Sequence, residues 1–396
     1  MKKLAYLLKS SHLFYSVYYY VMSALLKFLG VFIRTDSHLI LFNSFGGKNY
    51  ADSPRTIYEA MVHDKRFMSY KLVWSIQSPD AVPLPSGTKT VKTDTLLYFK
   101  TALASRIWIT NSSIERGLNF KKRTTFCLNT WHGTPIKFMG KDIRQDNKSF
   151  QSKVGVRANT MLAQGQYDVD VFSRAFDLPP TKINMTGLPR NDILAHFSAS
   201  DTLEIRKKLG IPEDKIVLLY APTFREFSKG KHREVVLKIP MNLQHWQDAL
   251  GGKYVILFRA HYEVAAYMSL DGYPLFVDVS SYPNLAELMI ASDALISDYS
   301  SIYFDYSIMH KPMYCFAYDY DEYAASRGMY IDLKSELPCT VHESETELLE
   351  DLLAFEKQEK LNKQRTAEFQ RKYVTTYGSA AQACCDILAE ELGIAL

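Results

Sequence analysis

His132 stands in the run Asn129-Thr-Trp-His-Gly-Thr-Pro-Ile136, and the Gly133 that follows lets a ligand approach the backbone closely, because glycine carries no Cβ. An imidazole titrates near neutrality and so suits removal of a proton from an attacking hydroxyl, a role worth about 10²–10⁴ in rate. Taken alone, Trp131 and His132 read as well as a packed aromatic pair. Arg259 and His261 alternate at the end of the apolar run Lys253 to Phe258. A spacing of two puts both on one face, where two cationic groups suit a diphosphate, or are incidental charge at a strand end. In Ile296-Ser-Asp-Tyr-Ser-Ser-Ile-Tyr-Phe-Asp-Tyr306 a strand runs into Ser297 and Asp298, and a helix is expected to begin around Ser300. The N–H groups of a helix start, with the hydroxyls of Ser300 and Ser301, would hold phosphate. Asp305, further into that helix, either bonds a ribose hydroxyl or serves as a structural cap. Ala221-Pro-Thr-Phe-Arg225 sets Pro222, Thr223 and Arg225 at another strand end, and Thr186-Gly-Leu-Pro-Arg-Asn-Asp192 carries Arg190 close to a domain boundary.

These groups need a scaffold that brings strand ends together. Strand-like runs at His38–Phe42, Tyr70–Ile76 and Ile107–Thr110 surround a helix-like Pro54–Val62, with Pro near its first turn. The pattern restarts with a helix-like Asp201–Leu209, followed by strand-like Lys215–Tyr220, Lys253–Phe258, Tyr273–Val277, Ala294–Ser297 and Met313–Phe316. Short apolar runs separated by helices imply crossovers and covered parallel strands. The expected fold class is therefore α/β, with two doubly wound Rossmann-like domains, 36–200 and 201–396, facing a cleft. In such sheets ligands bind beyond the carboxyl ends of the strands, which is where the reactive residues fall.

The 396 residues suffice for two domains of roughly 100–200 residues each. A 47 % hydrophobic and 23 % charged composition is that of an ordinary folded protein. A net charge of +4, without a dense basic stripe, argues against a nucleic-acid partner. Five scattered cysteines read as reduced thiols, and no spacing among them suggests a metal site. Residues 1–35 are expected to form a helical segment associated with the membrane. Leu13 to Leu26 is uncharged but shorter than the roughly 20 residues of a bilayer span. Its aromatic content, flanked by Lys9 and Lys27, suits a helix lying in the headgroup region, or else a helix packed on the first domain. The catalytic body is expected to stay on the cytoplasmic side.

The set Trp131–Pro135, Gly187–Asp192, Ala221–Arg225, Arg259–His261 and Ser297–Ser301 with Asp305 resembles the CDP-glycerol glycerophosphotransferase family, whose members make teichoic acid and related poly(alditol phosphate) polymers. Ser44-Phe-Gly-Gly-Lys-Asn-Tyr50, with Pro54, Tyr58 and Glu59, resembles the family's opening loop. The resemblance implies a GT-B-like fold and peripheral attachment to the cytoplasmic face of the cell membrane. It further implies transfer of glycerol phosphate from CDP-glycerol, as donor substrate and with no cofactor or metal, to a lipid-linked saccharide or poly(alditol phosphate) acceptor, as primase or polymerase. His132 then resembles the catalytic base and His261 a second essential histidine near the diphosphate. Trp131, Gly133, Thr134, Pro135, Arg190, Pro222, Thr223, Arg225, Arg259, Ala260, Ser300, Ser301 and Asp305 match positions lining the substrate site. Phe224 stands where tryptophan is frequent, and Gly46-Gly47 replaces a bulkier pair on the acceptor side. The alternatives are a ribitol-phosphate transferase, a nucleotide-sugar glycosyltransferase of the same fold, and a non-catalytic polymer-binding protein at the membrane surface.

Overall fold

The computed structural model describes residues 12–143, 156–223, 241–260 and 270–394. They form two compact units, one of residues 12–132, 139–192 and 379–394, the other of 133–138 and 193–378.

The first unit holds a sheet of β1 (Asp36–Asn43), β2 (Lys71–Ile76), β3 (Lys89–Lys92), β4 (Ser105–Thr110), β5 (Phe126–Asn129), β6 (Thr160–Ala163) and β7 (Ile183–Met185). All neighbouring pairs are parallel, in the order β3-β2-β1-β4-β5-β6-β7. Helices cover both faces, so the strands show no polar-apolar alternation: Ile40, Leu41 and Phe42 are all fully buried. Ile40, Phe42, Trp74, Ile107 and Leu128 pack beneath Ile57 and Met61 of α2 (Asp52–His63). On the other face Leu41, Trp108 and Cys127 meet Tyr98, Ala102 and Leu103 of α3 (Leu96–Ala104) and Leu26 of α1 (His12–Phe32).

The second unit repeats the plan with β8 (Ile216–Tyr220), β9 (Tyr254–Phe258), β10 (Phe276–Asp278), β11 (Ala294–Ser297), β12 (Met313–Phe316) and β13 (Val341–His342), again parallel, in the order β10-β9-β8-β11-β12-β13. In each sheet the strand order reverses once, between β1 and β4 and between β8 and β11. Beyond the carboxyl ends at these two points the loops diverge and leave room for a ligand.

Two expectations need correction. The C-terminal helix α4 (Ala380–Glu391) does not belong with 201–396: its Cys384, Cys385, Leu388 and Ala389 fill the core of the first unit. Both carboxylate oxygens of Asp192 accept from its first N–H groups, those of Ala380 (2.9 Å) and Ala381 (2.8 Å), and Arg66 pairs with its Asp386 at 2.8 Å. The residues after His132, Gly133–Phe138, fall to the second unit, where Phe138 N–H donates to Gly328 and Tyr330 N–H to Ile136. α1 runs 21 residues inside the expected segment 1–35, and its stretch Leu13–Phe32 is long and apolar enough to cross a membrane by length and composition. One face of it is nevertheless docked on the first unit. Leu26 is buried, Ser23 Oγ accepts from Asn119 N–H at 3.0 Å and Tyr15 Oη donates to Gly117 O at 3.2 Å. The opposite face leaves Phe14, Val17, Val21, Leu25 and Phe28 exposed.

Candidate functional site

In the first unit the polar residues gather where β1, β4 and β5 end. The loop after β1 turns through three successive left-handed residues, Phe45 (φ 47°), Gly46 (φ 67°) and Gly47 (φ 87°). A Cβ on Gly46 would strike the Arg116 guanidinium and one on Gly47 the Thr93 hydroxyl, which accounts for the Gly-Gly pair at this position. His132 follows β5. Its Nδ1 lies 2.9 Å from the carbonyl oxygen of Asn111, just beyond β4. A carbonyl only accepts, so Nδ1 carries the proton and the lone pair of the neutral ring sits on Nε2. The Trp131 ring stacks on the imidazole with centroids 4.2 Å apart, and Trp131 is itself braced by Phe176 at 4.6 Å. His132 is partly exposed, yet enough protein surrounds the ring to lower its pKa below the ordinary 6.5. Burial is the main cause; the Asn111 hydrogen bond and Asp52 oppose it, and Arg190 adds to it.

Arg190, expected to line the donor site, is engaged by a carboxylate: Nη1 donates to Asp52 Oδ2 at 2.9 Å. Its neighbours in the same motif have structural duties. Gly187 N–H bonds Ala163 O, the Asn191 amide donates to Gln164, and Asp192 caps α4.

In the second unit the switch point is bridged by Asp298. Its carboxylate accepts Thr223 N–H (2.9 Å to Oδ1, 3.0 Å to Oδ2), the Thr223 hydroxyl and the Tyr299 N–H, so the loop after β8 is tied to the loop after β11. Ser297 Oγ donates to Ala221 O at 2.7 Å in the same place. Pro222 sits between these anchors. Arg259, just past β9, donates from Nη1 to the carbonyls of Val279 (3.3 Å) and Tyr282 (2.7 Å), while Ala260 N–H donates to Ser280 Oγ. Arg259 is half-buried, and burial lowers its pKa. No carboxylate among the described residues pairs with it, so its remaining N–H groups keep their capacity for an anion.

Thr134 and Pro135 are buried beside the Lys137–Met329 bridge. Ser300 Oγ accepts from Ile302 N–H at 3.3 Å. The helix there begins only at Ile302, two residues later than expected, and runs six residues, with Ser301 at its N-cap position making no side-chain cap. Asp305 is buried within that helix rather than open at its start. His261 and Arg225 lie outside the described residues. Asn111 and Asp52 were not singled out from the sequence. Asp298 was named there as a residue the strand runs into but given no role, although a carboxylate directly after an apolar strand that enters a helix is a common loop tie. Among the described residues no three His, Cys, Asp or Glu side chains form a metal-binding group.

Two doubly wound parallel sheets, each with polar loops tied together at its switch point, define a two-unit α/β protein of the kind that binds ligands at strand carboxyl ends. A family model described as CDP-Glycerol:Poly(glycerophosphate) glycerophosphotransferase matches residues 25–388, and the chain belongs to that family. A teichoic acid poly(glycerol phosphate) polymerase of Staphylococcus epidermidis is 33 % identical over 371 residues, which cover 89 % of this chain and 50 % of that protein. A teichoic acid glycerol-phosphate transferase of Staphylococcus aureus is 32 % identical over 369 residues, covering 89 % of this chain and 93 % of that protein. The chain thus spans half the length of the first relative and most of the second. Among solved structures, the wall teichoic acid polymerase TagF matches with a TM-score of 0.82 at 32 % identity, covering 91 % of this chain and 90 % of that one. A variant of that polymerase has also been solved after a soak with CDPG.

Proposed function

We propose that this protein transfers glycerol phosphate from CDP-glycerol to a hydroxyl of a lipid-linked teichoic acid precursor or growing polymer, releasing CMP. The observation that carries the reading is His132, whose Nδ1–H is committed to a backbone carbonyl so that the lone pair of the neutral ring sits on Nε2, in a residue that is partly exposed. The names of the relatives, among them a poly(glycerol phosphate) polymerase and a glycerol-phosphate transferase, support glycerol as the alditol.

In the proposed step the acceptor oxygen attacks the β-phosphorus of CDP-glycerol and the bond from that phosphorus to the bridging oxygen breaks. CMP leaves with the bonding electrons, and Nε2 of His132 takes the hydroxyl proton. Arg259 supplies positive charge for the diphosphate, with Thr223 and Pro222 in the neighbouring loop and Ser300 and Ser301 after β11. His261 and Arg225, outside the described residues, remain the second histidine and a further cation of the proposal. No cofactor enters the step. Positioning and charge dominate phosphoryl transfer, so loss of the cationic grip should cost as much as loss of the base.

The membrane is the proposed location of the acceptor. The exposed side of α1 is apolar, and α3, which packs on α1, carries Leu96 and Leu97 at 89 % and 61 % exposure with Lys92 and Lys100 exposed beside them. An apolar surface rimmed by lysines fits an anionic bilayer surface, with α1 lying along it.

The test is CMP release by the purified chain given CDP-glycerol or CDP-ribitol and a lipid-linked disaccharide, bare or already primed. The reading requires acceptor-dependent CMP from CDP-glycerol, abolished in His132→Asn. The acceptor that responds separates a primase from a polymerase. No CMP from either donor would overturn the reading.

A further inference from the structure

Asn129 is the last residue of β5 and is almost fully buried. Both ends of its amide are used. Oδ1 accepts the N–H of Trp131 at 2.8 Å, and Nδ2 donates to the carbonyl of Ser112 at 3.0 Å. Those two residues flank the two partners of the hydrogen bond that orients the imidazole: Ser112 follows Asn111, whose carbonyl receives Nδ1–H, and Trp131 precedes His132. The contacts therefore close a ring, from His132 Nδ1 to Asn111 O, along the backbone to Ser112 O, across the Asn129 amide to Trp131 N, and back along the backbone to His132. Within it Trp131 adopts a left-handed conformation (φ 50°), one that a bulky residue avoids unless something holds it. In that conformation its ring lies flat on the imidazole.

We propose that Asn129 is the positioning residue for His132, fixing the proton on Nδ1 and the lone pair on Nε2 by clamping the strand ends on either side of the ring. This rests on His132 as the base for its kinetic consequence, but the tautomer itself is a property of the chain. The clamp needs one donor and one acceptor on a short side chain. Asn129→Asp keeps an acceptor for Trp131 N–H and places a second one against the Ser112 carbonyl, which pushes the two strand ends apart. Asn129→Ser removes the reach to both partners at once. Asn111 has its own side-chain ties, Oδ1 to Phe45 N–H at 2.8 Å and Nδ2 to Ser44 Oγ at 3.4 Å, so the loops outside the ring stay anchored in either variant.

The experiment is two-bond ¹⁵N–¹H correlation on the ¹⁵N-histidine-labelled full chain above the pH at which its histidines titrate, with His132→Asn used to identify the His132 signals. The neutral ring of the unaltered chain is expected to show a protonated Nδ1 and a pyridine-like Nε2. In Asn129→Asp the Nε2–H form should become populated, and kcat for CMP release should fall about tenfold or more with the donor KM within about twofold. A purely structural role would lower the folded fraction and leave the tautomer of the remaining folded protein unchanged. Two results overturn the proposal: a neutral His132 protonated on Nε2 in the unaltered chain, or an unchanged tautomer and kcat in a folded Asn129→Asp or Asn129→Ser protein. A tautomer that shifts in the variants of a chain releasing no CMP would uphold the positioning role and sink the transferase reading instead.

Discussion

Asp52 and Arg190 meet as an ion pair in the first unit, Oδ2 to Nη1 at 2.9 Å, with side-chain exposures of 8 % and 16 %. Asp52 holds this position in a left-handed conformation (φ 64°) at the first residue of α2, and its Oδ1 accepts the Ser53 N–H. Breaking a buried pair from one side leaves the other charge without its partner. Asp52→Ala is expected to destabilise the first unit by about 3 kcal/mol, read from urea unfolding. Asp52→Asn, whose side chain tolerates the left-handed region, should lose less.

With His132 as the proposed base, its lowered pKa sets the acid limb of the pH–rate profile. The neutral ring would be the reactive form, so the rate should hold as pH falls through 6.5 and decline only below it. The linked effect on stability has the same direction. The unfolded ring binds a proton at a higher pH than the folded one, so the contribution from neutral His132 is complete above the unfolded value and is lost as pH falls through the folded one. Pre-steady-state CMP release across pH locates the limb, and a limb above 6.5 would contradict the assignment.

Asp298→Asn should separate binding from chemistry. The amide turns a donor toward the N–H groups of Thr223 and Tyr299, which now share one carboxylate. A loss of about 1–3 kcal/mol in stability is expected, with a raised donor KM and a smaller change in kcat. Isothermal titration with CDP-glycerol measures the binding part directly.

For the membrane surface, replacing Leu96 and Leu97 together by aspartate should weaken binding to phosphatidylglycerol-containing vesicles. Each inserted leucine is worth about 2 kcal/mol, so the loss should be tenfold or more. Phe14→Asp with Phe28→Asp makes the same test of α1. Loss in the second pair alone would confine the contact to α1, and loss in neither would remove the membrane from the account.

Much of this arrangement was legible in the sequence, for definite reasons. β8, β9, β11 and the Leu39–Phe42 part of β1 are short continuous apolar runs with polar ends, and such a run is visible without reference to distant residues. β7 and β13 are three and two residues long, too short to stand out as runs; they are strands only because a neighbour is there to pair with. The motif around His132 stood out in the sequence because its residue types suit proton transfer beside a ligand. Its tie to Asn111 did not, since the partner is a main-chain carbonyl 21 residues away and every residue has one. The placement of α4 was hidden for a different reason. Its alanines and cysteines would suit any core, and what selects this one is the side chain of Asp192, 188 residues earlier.

That selection bears on how the protein is made. The core around Ile57, Met61 and Trp74 is completed by Cys384, Cys385 and Leu388, so nearly the whole second unit leaves the ribosome before the first can close. The second unit, whose described residues are all in hand by Gly378, can finish first. Of the two units, the one begun earlier can then close only after the other, and until α4 arrives its apolar groove is open to a chaperone or a neighbouring nascent chain.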